Sequence, residues 1–359
     1  MDIMNKYPPP GQFGEIKRND TNSSSGSRKT YIDALNVVAC ISVVAMHQNG
    51  GVWTYEDSLN WQLHVIIETI CYWAVPVFFM ISGATLIGFE ERYSINKFFS
   101  RRIMRTVVPF LFFSIVAYFF SWVPKEGYVS INELFYGILN TRFYHLYWFF
   151  IPLFWIYLVM PILTKYRYLN QWMKRYVLVL GFVLLSFRFF GDLVGVEFSC
   201  SKNDLAGPFF YVVSGYYLAN ITNKEISKRK KFIIYILGVT SFILRGVLLL
   251  VLSNRDGAVN TLLTNYYYPT TIFMAMSVFL FFKEMHYPEK TGVVLKKLSS
   301  LSLGIYLIHC FVISVEARLG YTNISRFIYV VPLSVITYWS SAIIVYYGKI
   351  IPGIKIVFP

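Results

Sequence analysis

The chain has 359 residues; AVILMFWYC residues make up 56% of it, charged residues only 14%, and the formal net charge is +14. An ordinary globular domain carries about 25% charged residues. With aromatics at 19% and a mean hydropathy of +0.50, this chain cannot cover a water-facing surface with polar groups, and hydrocarbon must solvate much of it; the same numbers exclude disordered and fibrous classes.

Residues 1–30 are polar and rich in Ser, Asn, Gly and Pro, and read as a disordered cytoplasmic tail. No cleavable signal peptide is visible, because the first apolar run begins near Ile32 and no small-residue cleavage site follows it. From there apolar stretches recur over Ile32–Val52, Leu63–Phe89, Ile103–Val123, Tyr144–Leu163 and Tyr176–Val194. They continue over Leu205–Ile221, Phe232–Leu252, Tyr266–Phe282, Leu298–Val315 and Phe327–Tyr347. Each is near the ~20 residues that cross a bilayer core. The runs are continuous rather than alternating, which favours helices over a closed barrel. The expectation is an all-α integral membrane protein of about ten transmembrane helices, residues 31–348, with a short cytoplasmic tail at 349–359.

Charge placement sets the orientation. With the N-terminus in the cytoplasm, 25 of the 33 Lys and Arg fall in inside segments and 7 outside, alternating at every loop. Both termini are therefore expected in the cytoplasm. The basic charge contacts anionic lipid, and nucleic acid is not required. Cys40, Cys71, Cys200 and Cys310 form no CxxC or Cys/His cluster, so neither zinc nor a disulfide framework is indicated. One internal echo stands out: Pro76–Leu86 and Pro208–Leu218 share an aromatic run followed by Ser-Gly. It is read either as a duplication or as small residues recurring where helices pack closely.

Ionisable groups at membrane depth are expensive and mark functional sites by default. In the first helix Asp33, Asn36, Cys40, Val43 and His47 follow spacings of three and four and form one stripe. Asn36 and His47 point nearly the same way, ~16 Å apart along the axis. His47 is either a general base or a packing residue satisfied by a neighbouring helix, and His309 carries the same two readings. His64 and His145 fit interfacial positions. Arg102 and Arg105 open the third helix at i, i+3; two guanidinium forks there suit phosphates, or they anchor the helix by charge. Buried Arg245 needs a partner, for which Glu68 is the candidate. Trp148, with Tyr147, Trp155 and Tyr157, suits an interfacial belt or a sugar-stacking surface.

At these residues the chain resembles a known family. Tyr31–Ala39 followed by Val43–His47 is similar to the first-helix motif of the acyltransferase family 3 membrane proteins; Val75–Gly83 and Lys97–Pro109 are similar to their second- and third-helix motifs. Tyr147–Pro152 and Gly304–His309, with Tyr306 at its centre, also fit, and the resemblance covers residues 28–347 in order. It implies a membrane acyltransferase, usually of acetyl from acetyl-coenzyme A as co-substrate, acting on a hydroxyl of a cell-surface glycan or its lipid-linked precursor. It also implies that His47 is catalytic and that Arg102 and Arg105 bind the donor. The family commonly carries Arg or Lys eleven residues before the His; here that position is Asn36, so the charge must come from elsewhere, with Arg28 or Lys29 at the helix entrance. Asn, Lys, Ile and Tyr richness suggests an AT-rich bacterium, and so the bacterial plasma membrane.

On this reading the Arg pair holds coenzyme A phosphates, the thioester arm extends beside the first-helix stripe, and His47 takes the proton of the attacking hydroxyl. Asp33 anchors the cytoplasmic end of the stripe. Ser82 is either a transient acyl carrier or a packing residue beside Gly83. No bound cofactor and no metal are expected. The rival reading is a multi-pass transporter of an anionic or glycosyl substrate, which the internal echo and buried charges suit; a non-catalytic membrane scaffold is the third.

Overall fold

A computed structural model describes residues 29–196, 205–222, 226–320 and 327–359; the expected N-terminal tail and Cys200 lie outside these. Every regular element among the described residues is helical. The α-helices are α1 (Thr30–Gln48), α2 (Leu59–Cys71), α3 (Ala74–Leu86), α4 (Ile95–Arg102), α5 (Val108–Ala117), α6 (Val123–Glu126), α7 (Ile131–Leu139) and α8 (Phe150–Leu163). They continue as α9 (Gln171–Val194), α10 (Ala206–Asn220), α11 (Lys228–Asp256), α12 (Pro269–Glu284), α13 (Glu289–Ser299), α14 (Ser302–Arg318) and α15 (Val330–Ile350).

Seven helical stretches are long and apolar enough to cross a membrane, or up to eight if α13 and α14, bent by 54° at their junction, form one. α10 and α12, at 15 and 16 residues, fall short of that length. Burial sorts the helices: 67% of the most apolar window of Leu59–Glu91 and 61% of that of α1 lie inside the protein, against 11% for α9. The apolar residues that α9 and α11 expose, Val179, Leu180, Val183, Ile233, Ile236 and Val247 among them, meet hydrocarbon. The protein is thus an integral membrane protein with α1 at its centre and long, lipid-facing helices outside.

Local chemistry fixes the ends and breaks. The Ser58, Ser94, Ser130 and Ser227 hydroxyls and the Asn170 amide oxygen accept the backbone N–H three residues on, capping α2, α4, α7, α11 and α9. Pro76 cannot donate to the Tyr72 carbonyl, and the regular helix is interrupted there between α2 and α3. Pro109 likewise frees the carbonyl of Arg105, and the chain there widens into a π turn over Ile103–Val107. Pro124 frees the Phe120 carbonyl within a second π turn, Tyr118–Trp122, and the Arg318 guanidinium donates to that oxygen at 3.0 Å.

The Ser-Gly echo has a packing explanation. A Cβ on Gly83 would stand 1.8 Å from the Val212 carbonyl oxygen, and a Cβ on Gly215 2.0 Å from that of Met80. Each glycine of the repeated motif admits the backbone of the other copy's helix. Ser82 donates to the Phe78 carbonyl one turn back at 3.0 Å, which is the bond of a helical serine at rest.

Candidate active site

α1 runs beside α13 and α14 in a fixed register. The Asn36 amide donates to the Ser299 hydroxyl at 2.7 Å and its carbonyl at 3.2 Å; the Cys40 thiol meets the Ser302 carbonyl at 3.7 Å; His47 Nδ1 lies 2.7 Å from His309 Nε2. The partners advance together, 262 or 263 residues apart in sequence, so the two elements run parallel. The stripe of spacings three and four is therefore the seam against α13 and α14. The break between those helices leaves carbonyls without helical partners. Asn36 takes that of Ser299, and the Lys349 ammonium takes that of Ser300 at 2.6 Å. Asn36 thus has a structural duty that needs no charge. Asp33 is buried in the first turn of α1, where a carboxylate complements the helix dipole.

The seam ends in two adjacent clamps. Gln48 Nε2 donates to Glu316 Oε2 at 2.5 Å and to the Thr337 hydroxyl at 2.6 Å, which itself donates to Glu316 at 2.9 Å. One residue earlier stands the histidine pair. Its ring planes differ by only 12° and the centroids are 4.9 Å apart. That separation matches the N···N distance plus two ring radii, so the rings lie edge to edge and share an in-plane hydrogen bond.

The proton positions follow from the partners. His309 Nδ1 lies 3.1 Å from the Ile305 carbonyl oxygen, and a carbonyl only accepts, so Nδ1 carries hydrogen. In a neutral imidazole Nε2 is then the acceptor, and the 2.7 Å contact requires His47 Nδ1 to donate. The remaining nitrogen of His47, Nε2, bears the lone pair. A cationic His309 would instead place an uncompensated charge in a fully buried site. His309 is fully buried and His47 is half-buried, so His47 is the reachable member.

The segment His145–Phe149 leans on the same helix. The Tyr306 hydroxyl donates to the Leu146 carbonyl and the Tyr147 hydroxyl to the Leu307 carbonyl, each at 2.6 Å, and the Tyr306 ring lies 5.6 Å from His309. Exposed His145 stands within electrostatic reach of His47. Half-buried Trp148 stacks on Tyr266 at 5.6 Å, and Tyr266 on Tyr72 at 4.4 Å. Trp148 is therefore the end of an inward aromatic stack rather than part of a lipid-facing belt. His64 also departs from the interfacial expectation: it is buried, with Nδ1 2.6 Å from the Asn49 amide oxygen, and it joins α2 to the end of α1.

The arginines lie near the opposite end of the helices from the histidine pair. Arg102 is half-buried, its guanidinium 5.6 Å from the Tyr157 ring and 5.8 Å from Phe98, with Nε buried and without a hydrogen-bond partner. Arg105, inside the π turn, is exposed. The two therefore differ in surroundings although three residues apart. The structure brings together His47, His309, Tyr306 and Trp148, whereas Ser82 satisfies itself within its own helix. The Gln48–Glu316–Thr337 and Asn49–His64 clamps were not visible in the sequence, where nothing pairs Gln48 with partners 268 and 289 positions away or Asn49 with a histidine 15 positions on. No group of three or more metal-ligating side chains occurs among the described residues.

The sequence model of the acyltransferase 3 family, described as an acyltransferase domain, matches residues 29–346. The chain belongs to the acyltransferase 3 family. No curated protein and no solved structure matches it. The match spans every helix from α1 to nearly the end of α15, so the whole bundle is the acyltransferase domain.

Proposed function

We propose that the protein transfers an acyl group, acetyl being the simplest, from acyl-coenzyme A to a hydroxyl of a cell-surface or exported glycan, or of its lipid-linked precursor, in a bacterial plasma membrane. The observation that carries this reading is the histidine pair: His309, locked by the Ile305 carbonyl, orients His47 so that Nε2 bears the lone pair. As the acceptor oxygen forms its bond to the thioester carbonyl carbon, His47 Nε2 takes the hydroxyl proton. The C–S bond then breaks, and the departing coenzyme A thiolate takes that proton from the imidazolium. His309 remains neutral and spreads the imidazolium charge through the shared hydrogen bond. Arg102 and Arg105 hold the donor's phosphates at the basic end of the helices.

Ten crossings with both termini in the cytoplasm fit this arrangement. This reading counts the bent α13–α14 pair and the shorter α10 and α12 as crossings beside the seven long stretches, and the alternating charge of the loops supports it. Because α10 and α12 have many buried residues, protein rather than lipid surrounds much of them, and they need not match the full bilayer thickness. The decisive test is mass analysis of surface glycans from cells with and without the protein. A difference of one acyl group is expected; identical glycan masses refute the proposal.

A further inference from the structure

Arg245 lies in α11, seventeen residues beyond its basic start and thus ~25 Å along the axis. His47 lies equally far along α1. The Arg245 side chain is wholly buried. Its Nη1 donates to the Thr69 hydroxyl at 3.0 Å, and its guanidinium lies 3.7 Å from the centroid of the Tyr72 ring. Nε and Nη2, however, have no hydrogen-bond partner. Those two nitrogens form one edge of the guanidinium, the edge that grips two oxygens side by side. Buried donors left open are rare enough to require an explanation.

The surroundings of that edge are specific. Glu68, buried one turn after His64 in α2, is close enough to act electrostatically on Arg245, yet no acidic side chain among the described residues forms an ion pair with the guanidinium. Asn49 neighbours Glu68 while holding His64, and Asn49 is only two residues after His47. The Tyr72 ring that carries Arg245 stacks on Tyr266, and Tyr266 on Trp148, whose segment leans on Tyr306 and His309. Arg245 is therefore linked to the segment beside the histidine pair through one run of stacked rings, Tyr72, Tyr266 and Trp148.

We infer that Arg245 and Glu68 form the acceptor subsite, and that its occupant is a neutral sugar carrying two vicinal hydroxyls. This rests on the acyltransferase reading above and specifies its substrate. A hydroxyl both accepts and donates. Two neighbouring hydroxyl oxygens take the N–H groups of the open edge, and one of those hydroxyls gives its own hydrogen to Glu68. Arg245 and Glu68 together carry no net charge, and a neutral ligand keeps the buried site neutral. An acidic sugar would satisfy the arginine but leave a second carboxylate beside Glu68 at membrane depth, where an uncompensated charge is costly. The subsite thereby selects against uronic acids and phosphorylated residues.

Two measurements test the subsite. Tandem mass spectrometry of the glycan from cells with the native protein should place the acyl group on a neutral sugar that keeps a pair of vicinal hydroxyls free of linkages. An acyl group on an acidic sugar, or on one without such a pair, overturns the inference and leaves the transferase reading standing. Identical glycans with and without the protein refute the transferase reading itself, and with it this one. In Arg245→Lys, which keeps the charge but loses the two-pronged edge, glycan acylation should fall about tenfold or more, while calorimetric titration of the purified protein with coenzyme A, which reads the Arg102 and Arg105 end of the bundle, shows the native affinity. Full glycan acylation by Arg245→Lys overturns the inference. If Arg245→Lys does not fold, the location of the acyl group in the native cells decides alone.

Discussion

Replacing His309 by Phe fills the ring volume but removes the acceptor of the His47 Nδ1–H, and the consequence can be worked from the geometry. His309 is fully buried and, among the described residues, its Nε2 is the partner of that proton, at 2.7 Å. A buried donor left without an acceptor costs ~1–3 kcal/mol. Alternatively the imidazole changes tautomer, which relieves the orphan but moves the lone pair from Nε2 to Nδ1, facing the new phenyl ring. Either route weakens the base in the transition state. At ~1.36 kcal/mol per tenfold in rate, kcat should fall about ten- to hundredfold. The donor KM should stay constant, because Arg102 and Arg105 lie near the other end of the bundle. His309→Gln should recover most of the rate, since its amide oxygen can accept the same proton. His47→Gln should lose more, roughly 10²–10⁴-fold, the ordinary contribution of a general base. The assay is release of free coenzyme A thiol by protein in lipid nanodiscs, with the thermal midpoint followed in parallel. Parental kcat in His309→Phe refutes the tautomer argument. A fall in kcat matched by a rise in donor KM and a collapse of the midpoint points to damaged packing instead.

Gly83→Ala and Gly215→Ala should each destabilise the protein by ~1–3 kcal/mol or more, because the new methyl meets backbone at 1.8 and 2.0 Å; Gly88→Ala, whose nearest foreign atom is 3.8 Å away, should be neutral, and thermal unfolding in detergent compares the three. Ser82→Ala should keep activity within about twofold, as the hydroxyl serves only the Phe78 carbonyl; an acyl adduct on the native Ser82, detected by peptide mass analysis, contradicts this. Asn36→Ala should lower stability by ~1–3 kcal/mol, since it strips the Ser299 carbonyl and hydroxyl at the helix break of their donor; an unchanged midpoint shows that the break holds itself. Arg102→Lys should weaken donor binding about tenfold or more, and more than Arg105→Lys, because Arg102 alone is half-buried against Tyr157; calorimetric titration with coenzyme A ranks them.

Membrane character and helical class were legible in the sequence, because an apolar run near twenty residues long admits one satisfactory backbone solution in hydrocarbon. The stripe Asp33–Asn36–Cys40–His47 was legible too, since helical periodicity alone places those residues on one face. The family followed from motifs in order along the chain. What the stripe faces was not legible. Only the tertiary structure decides that Asn36, Cys40 and His47 meet Ser299, Ser302 and His309, because a contact between residues some 262 positions apart leaves no local pattern. The same holds for the echo: two similar motifs read as duplication or as packing until Gly83 and Gly215 are seen admitting each other's helix. Pro76, Pro109 and Pro124 announced missing hydrogen bonds, but whether a helix breaks, widens or borrows a side chain depends on its neighbours. The surroundings of each histidine were likewise decided by the tertiary structure: His64 meets the Asn49 amide oxygen, and His309 meets the Ile305 carbonyl on one side and His47 on the other, a difference set by which oxygen or nitrogen each ring meets and not by the residue itself.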